Sequence, residues 1–264
     1  MAQQGYRTAR MEDRSEILSY LETDRLYTAY AIGDLEPALF GDCAWAGAWQ
    51  AGVQRALILH YRGLTPAALF LAGTTGGLRA ILEGELRPES VYLTCRSEQL
   101  ALARGFYEWP APVPMWRMVL KPGEFRPVAA DCVRLGAADA RELETLYELG
   151  GGLAFSPAQI EQGVFFGIRA GGELVSVGGT HLASPTYGVA AVGNVFTHPE
   201  HRGRGLGTAV TSAVVEALQR MAVHNIVLNV GQENKGAIRI YERLGFVRYC
   251  PFLEGPATAF SALR

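Results

Sequence analysis

The sequence predicts an α/β or α+β fold, in which a central sheet carries packed helices. Three observations indicate this class. Strand-like segments and segments of helical periodicity are interspersed along the whole chain. The composition, with 49% hydrophobic and 19% charged residues, is that of a globular protein. The 264 residues are enough for one large domain or two small ones with a buried core.

The first half alternates between the two kinds of segment. It opens with a short strand at YRTARM and a long helical pattern, RSEILSYLETDRLYTAYAIG. Three strand-like runs follow at AWAGAWQ, ALILHYRG and AALFLAG. A helix at GLRAILEGEL, a strand at SVYLTC, a helix at SEQLALARGFYEW and a strand at MWRMVL complete the half. We expect Trp45 and Trp49 of the first run to lie in the sheet core.

The second half has a similar order of elements without residue-level identity. It reads as strand CVRLG, helix ADARELETLYELG, and strands VFFGIRAG, ELVSVGGTHLAS and YGVAAVGNVFT. A helix from Leu206, a strand NIVLNVG, a helix from Asn234 and a strand FVRYCPF follow. Between the halves, residues 120–132 (LKPGEFRPVAADC) carry two prolines and a glycine without a sustained period. We therefore predict domains at residues 1–124 and 132–264.

Charge and cysteine usage exclude several classes of protein. The formal net charge is −2, which gives no basic face for nucleic acid or an anionic membrane. The first residues lack a signal-peptide pattern, and no stretch approaches the ~20 apolar residues of a membrane span. Cys43, Cys95, Cys132 and Cys250 show no metal-ligand spacing. We expect four separate buried thiols, no metal site and a cytoplasmic location.

The stretch NVFTHPEHRGRGLGTAV, residues 194–210, predicts an anion site. A strand ends near Pro199, a glycine-rich turn follows, and the apolar spacing after Gly207 is helical. The first amides of a helix have no internal partner, and glycine lets a bulky anion approach them. A P-loop would need a lysine that is absent here. A Rossmann fingerprint would need its third glycine one place later and an acid where Leu228 and Asn229 stand.

The pattern that fits is R-x-x-G-x-G, formed by Arg202, Gly205 and Gly207. This segment resembles the pyrophosphate-binding segment of the GNAT superfamily, the acetyl-CoA-dependent N-acyltransferases. Downstream, NKGAIRIYERLGF is similar to the second signature of that superfamily, N-x-x-A-x-x-x-Y-x-x-x-G-F. Every signature position is filled, by Asn234, Ala237, Tyr241, Gly245 and Phe246. The resemblance covers residues 133–252, and the whole chain resembles tandem members with a degenerate N-terminal half.

The resemblance implies a mixed, mostly antiparallel central sheet with helices on both faces, in two tandem GNAT-like halves. It also implies one acetyl-CoA site, in the C-terminal half, with no metal. The pantetheine arm would pair with a splayed strand and the diphosphate would lie on the glycine turn. The cofactor-binding residues implied are Val195, Phe196, Thr197, Arg202, Gly203, Arg204, Gly205, Leu206, Gly207, Thr208, Asn234 and Tyr241.

The implied reaction is direct attack of a primary amine on the thioester. Tyr241 would protonate the departing thiolate as general acid, and the Val195 amide would stabilise the oxyanion. Some members of the superfamily carry a strand glutamate where this chain has Ala191, and Asn194 cannot serve as a base. The base is therefore open between His181, His198, Glu200 and water, with His181 placed first because imidazole titrates near neutral pH.

Each of these residues also has an ordinary structural reading. Tyr241 could be a core residue, Asn234 a helix cap, Arg204 a solvated charge and His181 a strand residue. A CoA-binding sensor or scaffold without turnover is the alternative function, and a nucleotide-binding protein is a further one. The acceptor is unspecified, although the negative net charge slightly favours a cationic small-molecule amine. Homodimerisation stays open. The first half lacks R-x-x-G-x-G, so we expect no CoA site there.

Overall fold

The computed structural model describes residues 5–150, 158–221 and 223–261. By their contacts the residues form two compact units. The first unit consists of Met1–Trp116 together with Cys250–Arg264, and the second is Arg117–Tyr249. The last stretch of chain thus packs with the first unit. The domain limits predicted from the sequence, 1–124 and 132–264, stay a prediction. The compact units group residues by their contacts and do not show which residues descend from one ancestral domain.

The described residues contain strands and helices in mixed order. The strands are β1 (Arg7–Met11), β2 (Cys43–Gln50), β3 (Val53–Tyr61), β4 (Ala68–Gly73), β5 (Ser90–Arg96), β6 (Tyr107–Glu108), β7 (Val113–Leu120), β8 (Val133–Arg134), β9 (Phe166–Ala170), β10 (Glu173–Ser184), β11 (Val189–Thr197), β12 (Asn225–Gly231) and β13 (Phe246–Ala259). The helices are α1 (Arg14–Leu21), α2 (Ala29–Gly33), α3 (Pro37–Phe40), α4 (Thr75–Gly84), α5 (Leu100–Phe106), α6 (Ala140–Glu148), α7 (Ala158–Gln162), α8 (Leu206–Arg220) and α9 (Lys235–Arg243). None of these helices is long and apolar enough to cross a membrane.

In the first unit, β1, β2, β3, β4 and β5 are hydrogen-bonded in that order, and β13 follows β5. All neighbours are antiparallel except β4 and β5, which are parallel. Helix α4 packs on the sheet, and the core around it includes Leu78, Ile81 and Leu82 of that helix. The long helical pattern predicted near the start is interrupted, because a 3₁₀ turn at Glu22–Asp24 separates α1 from α2. Trp45 is buried, as expected for the sheet core, whereas Trp49 is only half-buried, with the Arg7 guanidinium 4.3 Å from its ring centroid.

In the second unit, β12, β11, β10, β9 and β8 are neighbours in that order. Only β11 and β12 are parallel. Gly178 of β10 faces Val210 of α8, whereas Gly179 faces Phe165 in the core shared with α6 and α7. Because successive strand residues point to opposite sides, α8 covers one face of this sheet and the α6–α7 cluster covers the other. The predicted fold class, a mixed and mostly antiparallel sheet with helices on both faces, is confirmed.

In the loop after α9, the main chain of the second unit comes into close contact with another segment of the same unit. Gly245 has φ +99, and a Cβ there would collide with the carbonyl oxygen of Glu124. Gly123 has φ +79, and a Cβ built on Gly123 would have no atom within 4 Å. We expect Gly123→Ala to cost about 1 kcal/mol, the conformational penalty alone. Gly245→Ala should cost roughly 2 kcal/mol or more, because a backbone collision is added.

The measurement is urea unfolding of both variants and the parent chain, followed by far-UV circular dichroism. Tryptophan fluorescence would not serve, since Trp45, Trp49, Trp109 and Trp116 all lie in the first unit. Equal midpoint shifts for the two variants would contradict the predicted contact.

Candidate active site

The candidate site lies where β11 and β12, two parallel strands of the second unit, separate from each other. The ladder between β11 and β12 has four pairs, from Val189 with Asn225 to Val192 with Leu228. Strand β11 continues to Thr197 and β12 to Gly231, without further pairing between them in the described chain. The two strands therefore enclose a wedge-shaped opening, which we call the fork, with its closed end at Val192 and Leu228.

A bulge in β11 bends this strand at the fork. Val177 pairs with Phe196 and Gly179 pairs with Gly193, so a single β10 residue opposes two residues of β11. Asn194 takes φ +52 there, which is uncommon for a residue with a side chain. The Tyr147 hydroxyl of α6 donates to the Asn194 carbonyl at 2.7 Å, and Asn194 Nδ2 donates to the Thr180 carbonyl at 3.4 Å. These bonds hold the bend that carries Val195 past the fork.

The end of β11 is anchored to its surroundings. The Phe196 ring meets the Tyr147 ring edge-on at 6.2 Å, and the Arg202 guanidinium lies 5.5 Å from its centroid. The Thr197 hydroxyl is 2.8 Å from that of Ser176, and its carbonyl accepts a hydrogen bond from Arg202 Nε at 3.1 Å. The predicted pantetheine-binding residues therefore lie together on one stretch of strand that leads into the glycine turn.

The glycine turn leads to a helix start without a side-chain cap. Gly203 and Gly205 take φ +77 and +81, and α8 begins at Leu206. The first bond from the helix to this turn runs from the Ala209 amide to the Gly205 carbonyl at 3.1 Å. Among the described residues, the amides of residues 203–208 have no hydrogen-bond acceptor. An unsatisfied, glycine-rich helix start of this kind favours an anion.

The two arginines of the turn differ in their contacts. Arg202 is held against β11 through its bond to Thr197 and its position over Phe196. Arg204 Nη2 donates to the Glu200 carbonyl at 3.2 Å and is exposed. Both arginines are exposed and lie within four residues of the start of α8, where their charges add positive potential.

The start of α8 packs against α9. Gly207 is buried, and a Cβ there would lie 3.1 Å from Ile240 Cδ1, tighter than ordinary contact. A side chain at Gly207 would require the Ile240 side chain to shift by a few tenths of an ångström, so this glycine permits the close approach of the two helices. Thr208 beside it is buried as well. Tyr241 follows Ile240 in α9, the helix that this contact places beside the start of α8.

Helix α9 carries the two predicted residues of the second signature. Asn234 is its N-cap, and its Oδ1 accepts from the Ala237 amide at 3.0 Å. The oxygen is thus used by the helix, and the exposed amide group is what Asn234 can offer to a ligand. Tyr241 is only 7% exposed, and its ring meets Phe246 edge-on at 6.1 Å. Burial raises the pKa of Tyr241 to about 12, so the hydroxyl keeps its proton at neutral pH.

His181 lies at a second irregularity, in β10. Thr180 pairs with Val192 and Leu182 with Ala191, so His181 is the extra residue between them. Its imidazole lies over Gly193, where a Cβ would collide with Nε2. The surrounding protein lowers the pKa of His181 from its ordinary value of 6.5 by desolvation. The His181 side chain is nevertheless exposed, so a ligand in solution can reach it.

The other candidate bases are placed less favourably. His198 Nδ1 accepts a hydrogen bond from the Glu200 amide at 3.2 Å, which caps the short 3₁₀ turn at Pro199–His201. Glu200 itself is exposed. Ala191, at the strand position where the resemblance leads us to look for an acid, is fully buried. His181 is therefore the candidate base that lies nearest the fork along the strands.

Two residues at the fork escaped the sequence analysis. Tyr147 holds the bulge, and nothing in the sequence marks it among the apolar positions of its helix. Asn229 is the first β12 residue beyond the ladder, and its Oδ1 is buried without a hydrogen-bond partner. The available signal for Asn229 was a polar residue inside the otherwise apolar run NIVLNVG.

The first unit contains a similar fork that is internally closed. Strands β4 and β5 pair from residues 68–70 to 92–94 and then part. The carbonyls of residues 71, 72 and 73 accept hydrogen bonds from Tyr27, Tyr20 and Gln99 at 3.2, 3.4 and 2.8 Å. The following helix, α4, is capped by the Thr74 hydroxyl, which accepts from the Gly77 amide at 3.4 Å. In the antiparallel ladder the carbonyl of residue 72 faces β3, whereas those of residues 71 and 73 face β5. Tyr27 and Gln99 thus occupy two of the groups that a ligand in this opening would need.

Comparison with known proteins identifies the second unit. Residues 137–246 match the family model described as "Acetyltransferase (GNAT) family". A mycothiol acetyltransferase of Paenarthrobacter aurescens is 34% identical over 101 residues, 37% of this chain and 31% of that protein. An uncharacterized N-acetyltransferase of Methanocaldococcus jannaschii is 45% identical over 58 residues, 22% of this chain and 26% of that protein. The matched stretches thus span about a third or less of these relatives.

Solved structures with a similar fold match nearly the whole chain. A tandem GNAT protein from the clavulanic acid biosynthesis pathway has a TM-score of 0.58 at 15% identity, covering 97% of this chain and 99% of its own. A GCN5-related N-acetyltransferase from Sphaerobacter thermophilus has a TM-score of 0.60 at 15% identity, covering 96% and 95%. At these identities the likeness concerns the fold alone. The family match shows an acetyltransferase domain of the GNAT family at residues 137–246.

Proposed function

We propose that the second unit transfers an acetyl group from acetyl-CoA to a primary amine by direct attack. The observation that carries this proposal is the fork between β11 and β12, which leads directly into an uncapped helix start. A strand-like ligand arm and an attached diphosphate need these two features side by side. The tandem arrangement of two GNAT-like halves and a small-molecule acceptor belong to the same proposal.

In this scheme the pantetheine arm lies along Val195, Phe196 and Thr197, as an added strand would. The diphosphate lies on the amides between Arg202 and Thr208, and the Asn234 amide group contacts the pantetheine region. The thioester then reaches the inner part of the fork near Tyr241. Acetyl-CoA is a co-substrate, and the scheme requires no metal.

Tyr241 acts on the departing sulfur. Its hydroxyl keeps the proton at neutral pH because burial raises its pKa to about 12. A thiol has an ordinary pKa of about 8.5, so complete proton transfer from the phenol would be unfavourable. The phenol therefore serves as a general acid chiefly by sharing its proton with the sulfur in a strong hydrogen bond.

His181 acts on the attacking amine. Desolvation holds the imidazole neutral at neutral pH, and a neutral imidazole can accept the proton that the nitrogen loses on attack. The Val195 amide lies just past the bulge and donates to the carbonyl oxygen as negative charge develops there. The alternative, a CoA-binding sensor without turnover, is favoured by a single observation, the buried Ala191 in place of a strand acid. Steady thiol release with an amine would exclude it.

The first test concerns Tyr241. Tyr241→Phe removes the hydroxyl and keeps the ring that packs on Phe246. We expect kcat to fall roughly 10- to 100-fold, the value of a hydrogen bond to a charged group, while KM for acetyl-CoA stays nearly constant. Thiol release with an amine acceptor is the measurement, and Tyr249→Phe, at an exposed position in β13, is the control. An unchanged kcat would remove Tyr241 from the chemistry.

The second test concerns the base. A lowered folded-state pKa means that neutral His181 is present at neutral pH and is lost as pH falls through that pKa, so activity should decline on the acid side. His181→Ala should lower kcat/KM for the amine roughly 100-fold and flatten this acidic decline. Every variant is measured with the same amine, so ionisation of the amine affects all the pH profiles equally and does not contribute to the difference between them.

His198→Ala is the matched variant for the rival base. Because His198 Nδ1 is engaged by the Glu200 amide, we expect this variant to keep the parent pH profile. A profile altered by His198→Ala and not by His181→Ala would reverse the assignment.

The third test concerns the number of cofactor sites. Because side chains close the fork of the first unit, calorimetry should find one acetyl-CoA per chain. Leu206→Asp places a carboxylate at the first position of α8 and should weaken binding about tenfold or more by repelling the diphosphate. Thr75→Asp places the same charge at the first position of α4 and should leave binding unchanged. Two equivalents per chain, or equal effects of the two variants, would contradict the single site.

A further inference from the structure

Asn229 presents an unused hydrogen-bond acceptor at the closed end of the fork. Its Oδ1 is buried, and no hydrogen-bond partner reaches it among the described residues. A buried acceptor without a partner is destabilising, and native proteins keep few of them without a reason. Asn229 lies in a strand whose neighbours, Leu228 and Val230, are buried apolar residues. An apolar residue of similar size would satisfy this position better if packing alone decided it.

The strand register brings Asn229 and His181 to the same face. Val192 and Leu228 form the last pair of the parallel ladder, so Gly193 and Asn229 are the first residues beyond it. Residues at equivalent positions of paired strands point to the same side of the sheet. The His181 imidazole occupies the space where a Gly193 side chain would stand. The Asn229 carbonyl and the imidazole therefore flank the closed end of the fork on one face.

These two groups suit a ligand atom that carries two hydrogen-bond donors, such as the nitrogen of a primary amine. Asn229 Oδ1 can only accept a hydrogen bond, and a neutral imidazole accepts one at its unprotonated nitrogen. A neutral primary amine has two N–H donors and one lone pair. With one N–H on each acceptor, the lone pair is left to point at the thioester. A secondary amine has one N–H and can satisfy one of the two.

We propose that Asn229 Oδ1 and His181 form a two-acceptor site that orients the attacking nitrogen and selects primary over secondary amines. This inference rests on the proposed function and adds the residue that recognises the nucleophile. The amine nitrogen forms the new bond to the acetyl carbon, and the carbon–sulfur bond breaks. The proton on the Asn229 side stays on the amide nitrogen. The proton on the His181 side passes to the imidazole, and the sulfur leaves as a thiolate that accepts the Tyr241 hydrogen bond.

The experiment uses methylamine and dimethylamine at high concentration as the smallest primary and secondary probes. Thiol release from acetyl-CoA is followed with the full chain and with Asn229→Leu and Asn229→Asp. The parent should turn over methylamine at least tenfold faster than dimethylamine. In Asn229→Leu, kcat/KM for methylamine should fall roughly tenfold, the value of one lost neutral hydrogen bond, and the preference for the primary amine should largely disappear. Asn229→Asp keeps an oxygen at the same place and should retain the preference.

Two further readings separate recognition from a structural role. Asn229→Leu should have a melting temperature equal to or above that of the parent, because it removes an unsatisfied buried acceptor. Its calorimetric affinity for acetyl-CoA should stay within about twofold of the parent, since no cofactor contact is removed. A lower melting temperature together with weaker acetyl-CoA binding would make Asn229 a structural residue and overturn the inference.

The proposed function and this inference fail differently. Suppose that the parent binds acetyl-CoA but turns over methylamine and dimethylamine at equal rates, or turns over neither amine. The two-acceptor site is then wrong, while the cofactor site stands. If the parent fails to bind acetyl-CoA, the proposed function fails, and the inference fails with it.

Discussion

The parting of β11 from β12 is the constraint on which the site depends. Beyond Val192 and Leu228, main-chain groups of both strands lack the partner that continued pairing would give them. A parallel pair left open in this way is unfavourable unless another group replaces the missing bonds. The bulge at Asn194 prevents the strands from closing again, and the Tyr147 hydroxyl fixes that bulge from α6. Contacts within the second unit therefore hold the bulge at which β11 leaves β12.

Comparison of the two units indicates that side chains, more than topology, decide whether such an opening can receive a ligand. Both units contain a parallel pair that parts and a helix that follows the first strand of the pair. In the first unit, three side chains bond to the carbonyls of residues 71–73 and Thr74 caps the helix. In the second, Gly205 stands at the cap position and leaves the helix start unsatisfied. Replacing polar caps by glycine converts a closed structural element into a candidate anion site.

The sequence predicted those parts of the site that depend on local spacing. The glycine turn, the start of α8 and the placement of Asn234 and Tyr241 on α9 follow from neighbours a few residues apart. The remaining parts depend on pairing between distant segments. The bulges at Asn194 and His181 arise from the register of β10 against β11, and the position of Asn229 from the end of the β12 ladder. Tyr147 reaches Asn194 across 47 positions of chain. The periodicity of one segment does not reveal its contacts with a distant segment.

Desolvation favours, in each of the two candidate catalytic groups, the protonation state that the proposed reaction needs. It raises the pKa of Tyr241 and lowers that of His181, yet in both cases it favours the uncharged form. A protonated phenol and an unprotonated imidazole are the forms needed beside a leaving sulfur and an attacking amine. A charged group at the buried position of Tyr241 would have to be paired or hydrated. In the proposed reaction the imidazole can accept a single proton, so the amine must already be neutral when it attacks the thioester.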